Sequence, residues 1–159
     1  MDTIDKRETL RMFSNGMFIL TSRSGVRYGA AVVAWLSQAS FRPPLVMAAI
    51  RKESRVFECL LQSGVAAIHV LSAEQEEIAQ KFFAPTKVAP GLINDEPFVK
   101  GQTSAPILQN LPAYLECRLQ QVVETGGDHA VVVLEVVAAK CRTEVQPLTV
   151  ANSPWHYGG

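Results

Sequence analysis

The chain contains no G-x-G-x-x-G, no G-x-x-x-x-G-K-[ST], no H-E-x-x-H and no G-x-S-x-G. A Rossmann dinucleotide unit, P-loop phosphoryl transfer, zinc proteolysis and serine-hydrolase chemistry therefore lack their usual sequence scaffolds. Cysteine is scarce: Cys59, Cys117 and Cys141 form neither a C-x-x-C nor a Cys/His cluster, which leaves zinc and iron–sulfur sites without ligands. They read as small buried hydrophobes of a reducing compartment, with a redox pair among them as the alternative. An excess of one charge is also missing. The 15 Lys and Arg equal the 15 Asp and Glu, so no bulk field draws the protein to nucleic acid or an anionic membrane, and any anion site must be local. The longest apolar run, Ala130 to Ala139, is interrupted by Glu135 and is shorter than the roughly 18 residues of a spanning helix. The first residues are charged, without the apolar core of a secretory signal, and the expectation is a soluble, cytoplasmic protein.

What is present is 159 residues that are 48% hydrophobic, enough for one domain, 1–159, with a full core. Asn15-Gly16 closes a short N-terminal helix over Thr9 to Asn15, with Leu10, Met12 and Phe13 in apolar contact. Runs rich in Val, Ile, Ala and aromatics over Met17–Ser22, Val26–Ser40 and Leu45–Ile50, separated by Arg23-Ser24-Gly25 and Pro43-Pro44, predict an antiparallel meander able to close into a barrel. Ser54 caps a helix whose Val56, Phe57, Leu60 and Leu61 share one face and which Ser63-Gly64 ends. Val65 to Leu71 reads as a strand, with His69 a satisfied core residue. Ser72 and Gln75 open a helix over Glu74 to Phe83. Ala84 to Pro106, with four prolines and two glycines, reads as a functional loop that covers something. Two long strands, Ala113–Glu124 and His129–Lys140, join through Thr125-Gly126-Gly127-Asp128 as a tight hairpin. The fold class is mainly β, a barrel with short helices at its ends.

Three constellations carry chemistry. At Ala34, Trp35, Leu36, Ser37, Gln38 and Ser40 an apolar strand ends in a polar corner. Such a corner is either a plain turn or a floor and donor edge for a flat aromatic ring system. Arg51-Lys52-Glu53-Ser54-Arg55 is a cationic approach to a helix start: a solvated turn with a capping serine, or an anion site built from Arg51, Lys52, Ser54 and Arg55. Gly126-Gly127-Asp128-His129 is a hairpin turn or a placed imidazole whose orientation Asp128 fixes. Phe82, Phe83 and Lys87 either border a site or complete a helix end.

The run Trp35-Leu36-Ser37-Gln38-Ala39-Ser40-Phe41-x-Pro43-Pro44, the basic strand-to-helix junction and the later Gly-Asp-His resemble, in order and over residues 7–159, the flavin reductase-like family. That family's fold is the FMN-binding split barrel, and the Trp35–Pro44 run is most similar to domains found with flavodiiron proteins and rubredoxins. The resemblance implies that the corner contacts the flavin ring, through backbone groups where Ala34 and Trp35 replace the Asn and Ser of many members. It implies that the junction holds the flavin phosphate, and that His129, with Asp128, serves catalysis on the nicotinamide side. The ending Trp155-His156-Tyr157-Gly158-Gly159 is similar to a tail that folds back near flavin or partner, which adds His156 and Tyr157 to the candidates.

The implied activity is an NAD(P)H-dependent flavin reductase using bound FMN, less readily FAD, with NAD(P)H as transient hydride donor and a homodimer as the assembly. Two readings stand beside it: a flavin-binding electron-relay module serving a redox partner protein, favoured by the Trp35–Pro44 run, and an enzyme similar to pyridoxamine-phosphate oxidases, which share the barrel.

Overall fold

The computed structural model describes residues 1–159. Asp2 caps helix α1 (Thr3–Arg11), its carboxylate accepting from the N–H groups of Ile4 and Asp5. The helix thus starts and stops earlier than the Asn15-Gly16 signal predicts. Leu10, Met12 and Phe13, expected in apolar contact, are exposed instead. Gly16 lies beyond the helix, in a bridge to Thr149.

Strands β1 (Phe18–Ser24) and β2 (Arg27–Val33) form a hairpin, followed by β3 (Leu36–Ser40) and β4 (Leu45–Arg51). The single strand expected over Val26–Ser40 is therefore two. The chain breaks at Ala34-Trp35, where it leaves β1 and turns to pair with β4. Helix α2 (Arg55–Ser63) runs from the Ser54 cap to Gly64, whose φ of 71° is the left-handed conformation that glycine adopts without strain. After β5 (Val65–Val70), α3 (Glu76–Lys81) is shorter than predicted. The Gln75 side chain accepts from Ser72 N–H and the Ser72 hydroxyl from Glu74 N–H, so the capping pair closes a turn ahead of the helix.

The expected loop over Ala84–Pro106 carries a small sheet. β6 (Val88–Ala89), β7 (Leu92–Ile93), β8 (Glu96–Lys100) and β9 (Pro106–Leu108) pair antiparallel in that order. Short strands with prolines suit such a small edge sheet. The long pair, β10 (Ala113–Val123) and β11 (His129–Cys141), completes the main sheet of seven strands, ordered β2-β1-β5-β10-β11-β4-β3. The sheet curls until β2 meets β4, leaving a split beside β3.

The main core lies inside this curl, where Leu20, Ile50, Ile68 and Leu134 meet Phe57 and Leu60 of α2. A second cluster, including Ile19, Leu71, Phe82 and Ile93, joins the small sheet to the large one. His69, fully buried, bonds both the Ile19 carbonyl and the Leu108 N–H, as its position in an apolar strand predicts. Cys59 and Cys117 are buried, but Cys141 is exposed at the end of β11, and all three thiols are free. No helix is long and apolar enough to cross a membrane.

Candidate functional site

β2 is an edge strand, and this decides the site. The Thr86 hydroxyl takes the Ala30 N–H at 3.1 Å and meets the Ala30 carbonyl at 3.3 Å, so the backbone of Ala30 faces the open edge. By the two-residue alternation of an antiparallel strand, the N–H and C=O of Val32 face the same way. A groove follows this edge. At one end is a cavity of about 490 Å³ bounded by Ala30, Ala31, Arg51, Ser54, Arg55 and Thr86. At the other is an apolar cavity of about 240 Å³ lined by Val32, Ala34, Phe83, Trp155, His156 and Tyr157. Between them a space of about 70 Å³ reaches His129 and Trp35.

The first end is an anion cradle. Ser54 caps α2, its hydroxyl accepting from Phe57 N–H at 3.3 Å and donating to the Arg51 carbonyl at 2.7 Å. The first-turn N–H groups of Arg55 and Val56 have no intrahelical acceptor and open toward the cavity edge. Gly29 lets β2 approach this turn: a Cβ there would stand 2.5 Å from Val56 Cα. Arg51 and Arg55 line the cavity, Arg55 also reaching the Thr86 carbonyl at 3.4 Å. Lys52 is committed elsewhere. It pairs with Glu124 and, with Arg51, Glu53 and Asp128, borders a separate polar cavity. Lys87 lies off the groove, 4.0 Å from Asp95.

The second feature is an aromatic cluster around His129, which β11 places opposite Arg51 of β4. Its Nδ1 lies 2.7 Å from Asp128 Oδ1 and its Nε2 3.1 Å from the Tyr157 hydroxyl. The imidazole is 4.7 Å from the Trp35 ring, which is also 5.0 Å from Tyr157. The hydrogen bond from His129, and then its charge, hold the Asp128 carboxyl below its ordinary range. Burial pushes the Tyr157 phenol up, against the opposing charge of Arg51.

Of the predicted corner, Ala34 and Trp35 reach the groove. Leu36 packs against the core, and Ser37, Gln38 and Ser40 sit on the edge strand β3, where the side chains of Ser37 and Gln38 bond their own strand. His156 joins the apolar cavity, and Phe83 packs edge-to-face on Trp155 at 4.8 Å. No local sequence signal marks Val32 or Thr86, and Trp155 stands out only as part of the tail. Their role depends on strand-edge geometry that no local pattern carries.

The profile of the flavin reductase-like domain matches residues 10–158. The chain belongs to the flavin reductase-like family. An NADH-dependent FAD reductase of Streptomyces globisporus is 30% identical to this domain over 141 residues, spanning 87% of this chain and 76% of that one. Diflavin flavoprotein A 1 of a Synechocystis strain is 34% identical over 136 residues, 83% of this chain and 23% of its own. Among solved structures, the NADH:FAD oxidoreductase of Streptomyces globisporus superposes with a TM-score of 0.70 at 28% identity, covering 81% of this chain and 76% of that one. The flavin reductase-like domain spans less than half the length of the first curated relatives it matches, 42% and 23%.

Proposed function

We propose that this domain is an NAD(P)H-dependent flavin reductase that holds FMN along the open edge of β2. The groove itself carries this reading, because it joins an anion cradle to an apolar, aromatic end by a strip of free strand edge. From Ala30 to Ala34 the strand advances ~13 Å at ~3.3 Å per residue, a span suited to a ribityl chain between phosphate and ring. Ser54, Arg55, Arg51 and the first turn of α2 would take the phosphate. The edge groups of Val32, with Ala34 and Trp35, would take the ring. Bound flavin would supply two-electron chemistry, accepting hydride and passing electrons to free flavin, a metal centre or a redox protein.

The chain's own contribution is positional. Asp128 orients His129, whose imidazole packs on Trp35 and stands beside the groove where a nicotinamide would lie. FMN rather than FAD is part of this proposal, since Arg51, Ser54 and Arg55 offer one anion cradle at one helix start.

A homodimer is part of the proposal. The outer face of β4 and β11 carries Met47, Val131, Val133 and Val137, and Met47 and Val137 are exposed in a single chain. A sheet face this apolar suits a second copy. Sedimentation at micromolar concentration checks it; a clean monomer contradicts it.

The test of function is anaerobic mixing of FMN-loaded protein with NADH or NADPH, followed at the flavin bands. Rapid bleaching supports the reductase. Full flavin binding without bleaching favours the electron-relay reading instead. In fluorescence titrations Ser54→Ala combined with Arg55→Ala should weaken FMN binding more than tenfold, on the order of 2–3 kcal/mol from one hydroxyl and one cation. His129→Ala should keep that affinity and slow flavin reduction.

A further inference from the structure

Both ring nitrogens of His129 are engaged by the chain itself. Nδ1 lies 2.7 Å from Asp128 Oδ1, and Nε2 lies 3.1 Å from the Tyr157 hydroxyl. A carboxylate only accepts, so Nδ1 carries the proton of the neutral ring and the phenol donates to the lone pair of Nε2. Burial raises the phenol's pKa, which keeps that donor in place at neutral pH. One face of the imidazole packs on Trp35 at 4.7 Å, and the His129 side chain is only 13% exposed. In this arrangement the ring has no polar atom left for a ligand in the groove.

The group that occupies Nε2 is lightly held. Trp155 is the last firmly packed residue of the tail, its ring edge-to-face on Phe83 at 4.8 Å and its N–H donating to the Ser153 hydroxyl at 3.3 Å. Beyond it, residues 156–159 lie in no helix or strand and make no backbone–backbone hydrogen bond. Their anchors are the His129 bond, the Trp35 contact of Tyr157 at 5.0 Å, and a bond from Arg11 Nε to the Gly158 carbonyl at 3.2 Å. Tyr157 is 42% exposed, yet it lines both the apolar cavity and the narrow space that reaches His129. Few buried contacts and no backbone ladder put such a segment at the low-stability end of a fold.

We propose that residues 156–159 form an autoinhibitory latch, in which the Tyr157 hydroxyl competes with the dinucleotide for His129 Nε2 and must leave it before that substrate seats. The latch is fastened at two points, Tyr157 on His129 and Gly158 on Arg11, so helix α1 contributes to it from outside the groove. The geometry described here is its closed state. Apparent dinucleotide affinity is then the intrinsic affinity reduced by the fraction of molecules with the latch open. This rests on the reading that His129 faces the nicotinamide.

The test uses flavin-loaded protein and the oxidised dinucleotides NAD⁺ and NADP⁺, which do not reduce the flavin. Protein carrying 3-fluorotyrosine has three tyrosine signals in ¹⁹F NMR, and Tyr157→Phe identifies the one that matters. As dinucleotide is added, the Tyr157 signal should move to the position of a solvent-exposed phenol. In unlabelled protein Tyr157→Phe should tighten dinucleotide binding about fivefold, the effect of removing one neutral hydrogen bond from the closed state. Arg11→Ala, outside the groove, should tighten it in the same direction. In a His129→Ala background Tyr157→Phe should have no further effect, and a gain that persists there refutes competition at Nε2. A Tyr157 signal that stays in place while dinucleotide binds, or affinity that is unchanged or weaker in Tyr157→Phe, overturns the latch and leaves the reductase reading standing. No dinucleotide binding by wild type or any variant overturns both.

Discussion

His69 Nε2 accepts the backbone N–H of Leu108 at 3.0 Å, and that bond ties β5 of the large sheet to β9 of the small one. The opposite nitrogen, Nδ1, lies 3.0 Å from the Ile19 carbonyl, which accepts its proton. The neutral Nδ1–H ring is thus the form that satisfies both neighbours. A doubly protonated ring would set an N–H against the Leu108 N–H. Burial, helped by the charge of Arg142 and opposed by the Ile19 bond, lowers the His69 pKa to about 4.

Stability should therefore fall on acidification through a defined window. Once unfolded, His69 takes a proton near its ordinary value of 6.5, whereas the folded protein resists until about 4. Between these values the unfolded state binds the extra proton, so stability declines by up to ~1.4 kcal/mol per pH unit and by ~3 kcal/mol in all. Urea midpoints measured from pH 7.5 to 4.5 check this. His69→Gln should flatten the slope, and an unchanged slope would assign the acid sensitivity to other groups.

Gly29→Ala should be destabilising beyond its chemical size. The added Cβ would meet the Val56 Cα at 2.5 Å and its N at 2.6 Å, backbone atoms that yield only if α2 moves. A cost of about 2–3 kcal/mol is expected from overpacking. The same shift pulls the first turn of α2 from the cradle, so FMN affinity should drop with it, more than for the exposed glycine Gly25. A variant as stable and as tightly FMN-binding as wild type would show that the α2 approach is loose.

The thiols should divide cleanly by reactivity. Burial and the neighbouring Glu116 charge push Cys117 up to about 12, and burial raises Cys59, while Cys141 is exposed. With a chromogenic disulfide reagent at neutral pH, Cys141 alone should react promptly in the native protein, and the other two only on unfolding. Cys141→Ser should abolish the fast phase, and fast reaction of a second thiol would contradict the packing around β10.

Much of this arrangement is encoded locally. The hairpin between β10 and β11, the Ser54 cap and the burial of His69 each depend on interactions within a few residues, or on the polarity of one strand. Such features are legible because caps and turns are satisfied by near neighbours. By itself the sequence determined a β-rich domain with an anion-ready helix start and an Asp-His pair beyond a glycine turn. Tertiary structure alone decided the rest. The Lys52 charge goes to Glu124 because the hairpin tip folds over that turn. The span from Ala84 to Pro106 carries a small sheet because its short strands find partners in one another, and pairing energy belongs to the pair rather than to either strand. The polar side chains of Ser37 and Gln38 stay outside the groove because the chain breaks at Ala34-Trp35 to reach β4. Tyr157 meets His129 because the tail crosses between α1 and Trp35, a contact no local propensity specifies.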